Sequence, residues 1–151
     1  MMSDETAGVA DIAEILRLLP HRYPFLLVDC VIGMRGDDHG VGIKKLTMNE
    51  AQFGSFPETP VMPGVLVIEG IAQTACVLAL RLMPPTERRR SMFFMTIDKA
   101  KFRKPVRPGD TLEYHVDKVA KRRNMWWYRG EAKVGSVLVA EAELGACLAE
   151  N

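Results

Sequence analysis

Cysteine and histidine are scarce in this chain, and so is any overall excess of charge. The 151 residues hold three cysteines (Cys30, Cys76, Cys147) and three histidines (His21, His39, His115), with a formal net charge of +1. An odd number of cysteines with no CxxC pair gives neither a disulfide framework nor a redox motif, and no His/Cys spacing suits a metal. The cysteines read as small core residues in a reducing compartment. A net charge so close to zero says nothing about nucleic acid. The first residues, Met-Met-Ser-Asp-Glu-Thr-Ala-Gly, lack the basic and apolar regions of a signal peptide, so a cytoplasmic protein is expected. No metal or other cofactor is called for.

Long hydrophobic runs are also lacking, with one exception between Val61 and Leu80. Glu69 lies in the middle of that run and Gln73 one turn further on. A carboxylate at mid-bilayer costs about 2.5–3.5 kcal/mol on insertion scales, which favours a buried helix over a membrane span. A hydrophobic fraction of 48% and a charged fraction of 26% fit an ordinary globular protein. Residues 1–151 are expected to form one domain, with 1–10 flexible.

Charge nearly cancels in total but is unevenly spread. Residues 1–80 carry 5 Lys/Arg against 10 Asp/Glu, residues 81–129 carry 14 against 5, and residues 130–151 carry 1 against 4. The basic stretch includes Arg88-Arg89-Arg90, Lys101, Arg103 and Lys104. Solvated strand faces are the plainer reading of such runs. A positive patch that steers an acidic partner is the functional one.

Apolar residues at helical spacing from Asp11 to Leu19 predict a helix that Pro20 ends. Phe25 to Ile32 reads as a strand, and a short strand follows around Gly40 to Leu46. Asn49 to Pro63, with Pro57, Pro60 and Pro63, is a loop. From Gly64 to about Met83 apolar residues surround the helix almost completely, so it is expected to be buried on all sides. Four strands are predicted over Ser91–Ala100, Thr111–Val119, Met125–Lys133 and Ser136–Leu148, with Gly135 at a hairpin turn. A buried helix followed by consecutive antiparallel strands predicts an α+β domain whose sheet wraps that helix, the hot dog architecture.

Glu69 is the most informative residue. Burying a carboxylate among apolar neighbours is expensive, so it is rare without a partner or a task. Gln73, at i+4, shares its helix face. A protonatable carboxyl beside an amide suits general acid or base work, and a structural carboxylate bonded to backbone or to a second subunit is the alternative. Pro63-Gly64 at the helix mouth leaves free N–H groups that a ligand carbonyl can approach. His21, His39 and His115 read as structural or exposed rather than catalytic.

Together these segments resemble the FabZ-type 3-hydroxyacyl-acyl-carrier-protein dehydratases, from about Asp11 to Cys147. The resemblance rests on Leu18-Leu19-Pro20-His21-Arg22-Tyr23-Pro24-Phe25-Leu26-Leu27-Val28-Asp29, Asn49-Glu50, Phe56-Pro57 and Pro60-Val61-Met62-Pro63-Gly64-Val65-Leu66. Ile68-Glu69, Ala72-Gln73, Ile97-Asp98, Lys101-Phe102-Arg103-Lys104-Pro105-Val106 and Pro108-Gly109-Asp110 complete it.

The resemblance implies a hot dog homodimer, often three dimers to a hexamer, with each active site shared across the dimer interface. It implies removal of water from a 3-hydroxyacyl thioester to give the trans-2-enoyl thioester, with Glu69 as the catalytic carboxyl. Gly64, Val65, Gln73, Phe56 and Phe94 would meet the substrate, with the Phe93-Phe94-Met95 strand lining part of an acyl tunnel. The acidic carrier protein would dock on Arg88, Arg89, Arg90, Lys101, Arg103 and Lys104. One departure stands out: the family's Gly-His-Phe-Pro is Gly54-Ser55-Phe56-Pro57 here, so Ser55 stands where the catalytic histidine belongs. Loss of a general base typically lowers rate by about 10²–10⁴. Three readings follow: a dehydratase that still works, a binding or partner subunit lending Glu69 to a His-bearing paralogue, and a hot dog thioesterase using Glu69.

Overall fold

The computed structural model describes residues 7–54, 58–87 and 92–149. Helix α2 (Gly64–Arg81) is the organising element, and its residues from Gly70 to Leu80 are buried without interruption. Around it lie strands β2 (Cys30–Arg35), β3 (His39–Lys45), β4 (Met92–Phe102), β5 (Thr111–Arg122), β6 (Met125–Val134) and β7 (Val137–Leu148). A short β1 (Gly8–Ala10) and helix α1 (Ile12–Leu18) precede them. The sheet is antiparallel and seven-stranded, in the order β1-β2-β3-β5-β6-β7-β4. Its inner face closes on α2 through residues such as Leu112, Tyr114, Val116, Tyr128 and Leu144, each at most 1% exposed. This is the α+β hot dog architecture.

The chain approaches its central helix closely where glycine allows it. A Cβ on Gly70 would strike the Tyr114 ring, and one on Gly130 of β6 would strike Ile71. Gly135, at φ +60°, makes the β6–β7 turn as expected. Asp11 caps α1 by accepting the Glu14 amide, and Arg81 of α2 pairs with Glu14 at 3.3 Å.

Three expectations are corrected. Residues 8–10, read as part of a flexible end, pair with β2 as strand β1. Phe25 to Asp29 is not strand: β2 begins only at Cys30, because the backbone of Phe25 and Leu27 is bonded to a side chain of α2 instead of to a neighbouring strand. Helix α2 is not buried all round, since Val65 is 69% exposed and the Glu69 side chain 36%. The apolar length of α2 would suffice to cross a membrane, and in this fold it is the core.

Candidate active site

The open face of α2 carries Val65, Glu69 and Gln73 at i, i+4 and i+8, so the three side chains stack along one side of the helix. Gln73 is fully buried and spends its amide on protein. Its Oε1 accepts the Leu27 amide at 2.8 Å, and its Nε2 donates to the Phe25 carbonyl at 2.6 Å and to Glu69 Oε1 at 3.1 Å. Gln73 therefore has an anchoring geometry. It ties residues 25–27 to the helix and fixes one oxygen of the carboxyl.

The same segment delivers a histidine. Arg22 folds back on α1, donating to the carbonyls of Leu16, Leu19 and His21 at 2.7–2.9 Å. Held between Arg22 and Gln73, His21 places its Nε2 at 3.4 Å from Glu69 Oε1. Its Nδ1 is buried with no hydrogen-bond partner among the described residues. Among the described residues Glu69 Oε2 accepts no hydrogen bond, and the one bond to the carboxyl goes to Oε1. Tyr23, Phe25 and Val65, all 62–76% exposed, give the neighbourhood an apolar rim.

His21 thus meets Glu69, while the other two histidines do not. On β5 the buried Leu112, Tyr114 and Val116 point to the helix, so His115 points away, 3.3 Å from Glu113. His39 lies beside Gly40, which faces Leu78 of α2; the imidazole turns outward to Asp117 at 2.8 Å.

At the mouth of α2, Gly64 and Val67 line a cavity of about 300 Å³ with Phe102, Arg103, Lys104 and Val106. The Phe102 ring lies where a Cβ on Gly64 would sit. Glu69 is not among the residues lining this cavity. Arg103 also pairs with Glu141 at 3.4 Å, and hydrogen bonding to its guanidinium holds the Glu141 carboxyl below the usual carboxylate range. Lys101 and Lys104 are exposed. Phe94, on β4, is half-buried and packs against the core. Ser55, Phe56, Arg88, Arg89 and Arg90 lie outside the described residues.

Sequence reasoning missed two supports, although the Leu18–Asp29 and Asn49-Glu50 motifs contain the first of them and the partners of the second. Arg22 is one. The other is Lys44, 11% exposed, which pairs with Glu50 at 2.8 Å and Asp29 at 3.7 Å and so ties the segment leading to Gly54 onto β3. Cys76 is buried on α2, its thiol pushed up to about 12 by desolvation and the nearby Glu69 charge.

A sheet wrapped on an apolar helix, with one partly exposed carboxyl on that helix, defines a hot dog protein with an ionisable group on its central helix. A sequence profile described as a FabA-like domain matches residues 19–143. The 3-hydroxyacyl-[acyl-carrier-protein] dehydratase FabZ of Methylobacterium nodulans is 60% identical over 144 residues, covering 93% of this chain and 90% of that one. The FabZ of Nitrobacter hamburgensis is 56% identical over 141 residues, 93% of each chain. The chain belongs to the FabA-like family, among its FabZ-type members. Among solved structures, the dehydratase heterocomplex ApeI:P from Xenorhabdus doucetiae superposes with a TM-score of 0.75 at 17% identity, covering 91% of each chain. A hypothetical thioesterase with coenzyme A from Streptococcus pneumoniae gives 0.59 at 13%, covering 76% of this chain and 81% of that one. These two likenesses concern the fold alone.

Proposed function

We propose that this protein is a hydro-lyase of fatty-acid or lipid biosynthesis in the cytoplasm, acting on 3-hydroxyacyl groups carried as thioesters on an acidic acyl carrier protein. Glu69 is the catalytic carboxyl. The observation that carries the reading is a partly exposed carboxyl group on a mostly buried helix, hydrogen-bonded at one oxygen by Gln73. The FabZ relatives at 56–60% identity support the reaction class. Val65, one turn before Glu69, offers apolar contact to the acyl chain, and half-buried Phe94 lines its path. Free N–H groups at Gly64 suit the thioester carbonyl and the enolate it becomes. Arg103 and Lys104, which line the cavity beside Gly64 just after β4, with Lys101 near the end of that strand, suit an acidic carrier.

A homodimer is the proposed working unit. Strand β4 ends the sheet, and its Phe93, Met95 and Ile97 are 58–59% exposed. An apolar edge strand of this kind calls for a partner, and a second copy supplies one. A trimer of such dimers is compatible with the same edge.

Ser55 favours a second reading, in which the chain lends Glu69 to the histidine of a paralogue in a heterodimer. The experiment follows enoyl absorbance and free thiol together, with 3-hydroxybutyryl thioester and purified wild type or Glu69→Gln. Enoyl formation that disappears in Glu69→Gln supports the dehydratase. Thiol release identifies a thioesterase. Silence in wild type with gain on adding a His-bearing paralogue identifies the partner subunit.

A further inference from the structure

Dehydration consumes no net proton: the hydrogen lost from C2 leaves with the C3 hydroxyl as water. Two side chains commonly share the task, but one group that accepts the proton and returns it completes the same balance. Here one oxygen of Glu69 is committed and the other is not. Gln73 Nε2 lies 3.1 Å and His21 Nε2 3.4 Å from Oε1, while Oε2 accepts no hydrogen bond among the described residues. Both supports are themselves fixed, Gln73 by the backbone of Phe25 and Leu27, and His21 by the Arg22 clamp on its carbonyl.

We infer that Glu69 Oε2 performs both proton transfers in this chain, and that His21 is a positioning residue that holds Oε1 rather than a second proton carrier. This rests on the dehydratase reading. The tautomer of His21 is assigned from its partners. Nδ1 is buried without an acceptor among the described residues, so a proton there would be stranded, and the neutral ring carries its proton on Nε2, the nitrogen 3.4 Å from Oε1. The step balances within one residue. Oε2 takes the C2 proton as the C–H electron pair moves into the thioester enolate. The enolate then forms the C2–C3 double bond, the C3–O bond breaks, and the departing hydroxyl takes the proton from Oε2 to leave as water. The carboxylate is restored without help from position 55. His39 and His115, on the outer face of the sheet, contribute nothing to it.

The test measures kcat and KM against pH for wild type, His21→Leu, His21→Gln and Ser55→His, with 3-hydroxybutyryl thioester. Glutamine keeps an N–H donor at similar reach but cannot carry a proton. Expected are a single ionisation in the wild-type kcat/KM profile and a fall in kcat of about 10–100-fold in His21→Leu at little-changed KM. His21→Gln should stay within about threefold of wild type, a loose donor being a modest geometric loss. Ser55→His should raise kcat and add a second limb, the mark of a separate acid and base. A bell-shaped wild-type profile that becomes single-limbed in His21→Gln overturns the inference and makes His21 the second carrier. The wild-type profile alone decides should the leucine variant not fold. Activity only in Ser55→His overturns the inference but leaves the dehydratase reading standing. Activity in neither wild type nor Ser55→His removes that reading itself.

Discussion

Replacing Gln73 by leucine separates the anchor from its volume. The glutamine is fully buried and makes three hydrogen bonds, to Leu27, Phe25 and Glu69. Leucine fits an apolar helix face and keeps most of the bulk, so packing changes little. What is lost is the acceptor for the Leu27 amide, on a residue 1% exposed. A buried N–H left without a partner costs about 1–3 kcal/mol. The Phe25 carbonyl belongs to a residue that is 62% exposed and can turn to water, which adds little. The expected net loss is about 1–3 kcal/mol, and each kcal/mol lowers Tm by about 2–4 °C for a chain of this size. Urea unfolding gives the stability change, and hydrogen exchange at the Leu27 amide reports the lost bond directly. Since residues 25–27 also hold His21 over Glu69, kcat should fall with stability. An unchanged urea midpoint together with a still-protected Leu27 amide would refute the anchoring role.

Three further outcomes follow from the packing and the charges. Gly70→Ala drives a methyl into the buried Tyr114 ring, so urea unfolding should show a loss of about 1–3 kcal/mol; full stability would mean that the helix–sheet spacing is loose. Cys76, buried and with its thiol pushed up to about 12, should resist a thiol reagent in the native protein while the partly exposed Cys30 and Cys147 react; rapid labelling of three thiols would contradict the buried placement. Glu141, held below the usual carboxylate range by Arg103, adds stability above the unfolded-state value of about 4.3 and loses it as pH falls through its folded value. The gap in urea midpoint between wild type and Arg103→Met should therefore narrow between pH 6 and pH 3, and a constant gap would exclude the pairing.

The fold was legible because its main signals are local. An unbroken apolar stretch marked α2, the prolines after it marked its end, and Gly135 marked the last hairpin. The errors share a cause, which is contact between distant residues. Phe25 to Asp29 has the composition of a strand, yet the backbone of Phe25 and Leu27 is bonded to Gln73, 48 and 46 residues away. Strand β1 is three residues long and is placed by pairing with Met34 and Val31 and by burial of Ala10 in the core. The site was half legible for the same reason. Glu69 stands out in any apolar helix, but His21 is 48 positions earlier and reaches it only because Arg22 and Gln73 pin the intervening chain. Nothing in the spacing of the histidines separates His21 from His39 and His115; the pleat of the sheet does, by turning the latter two outward.

The most direct test of the account is hydration of crotonyl thioester, followed as loss of enoyl absorbance, by wild type and Glu69→Gln at equal concentration. The account predicts hydration by wild type and a rate lower by about 10²-fold or more in Glu69→Gln. Equal rates in two folded proteins would contradict it, because the open oxygen of Glu69 would then not be the group that moves the proton.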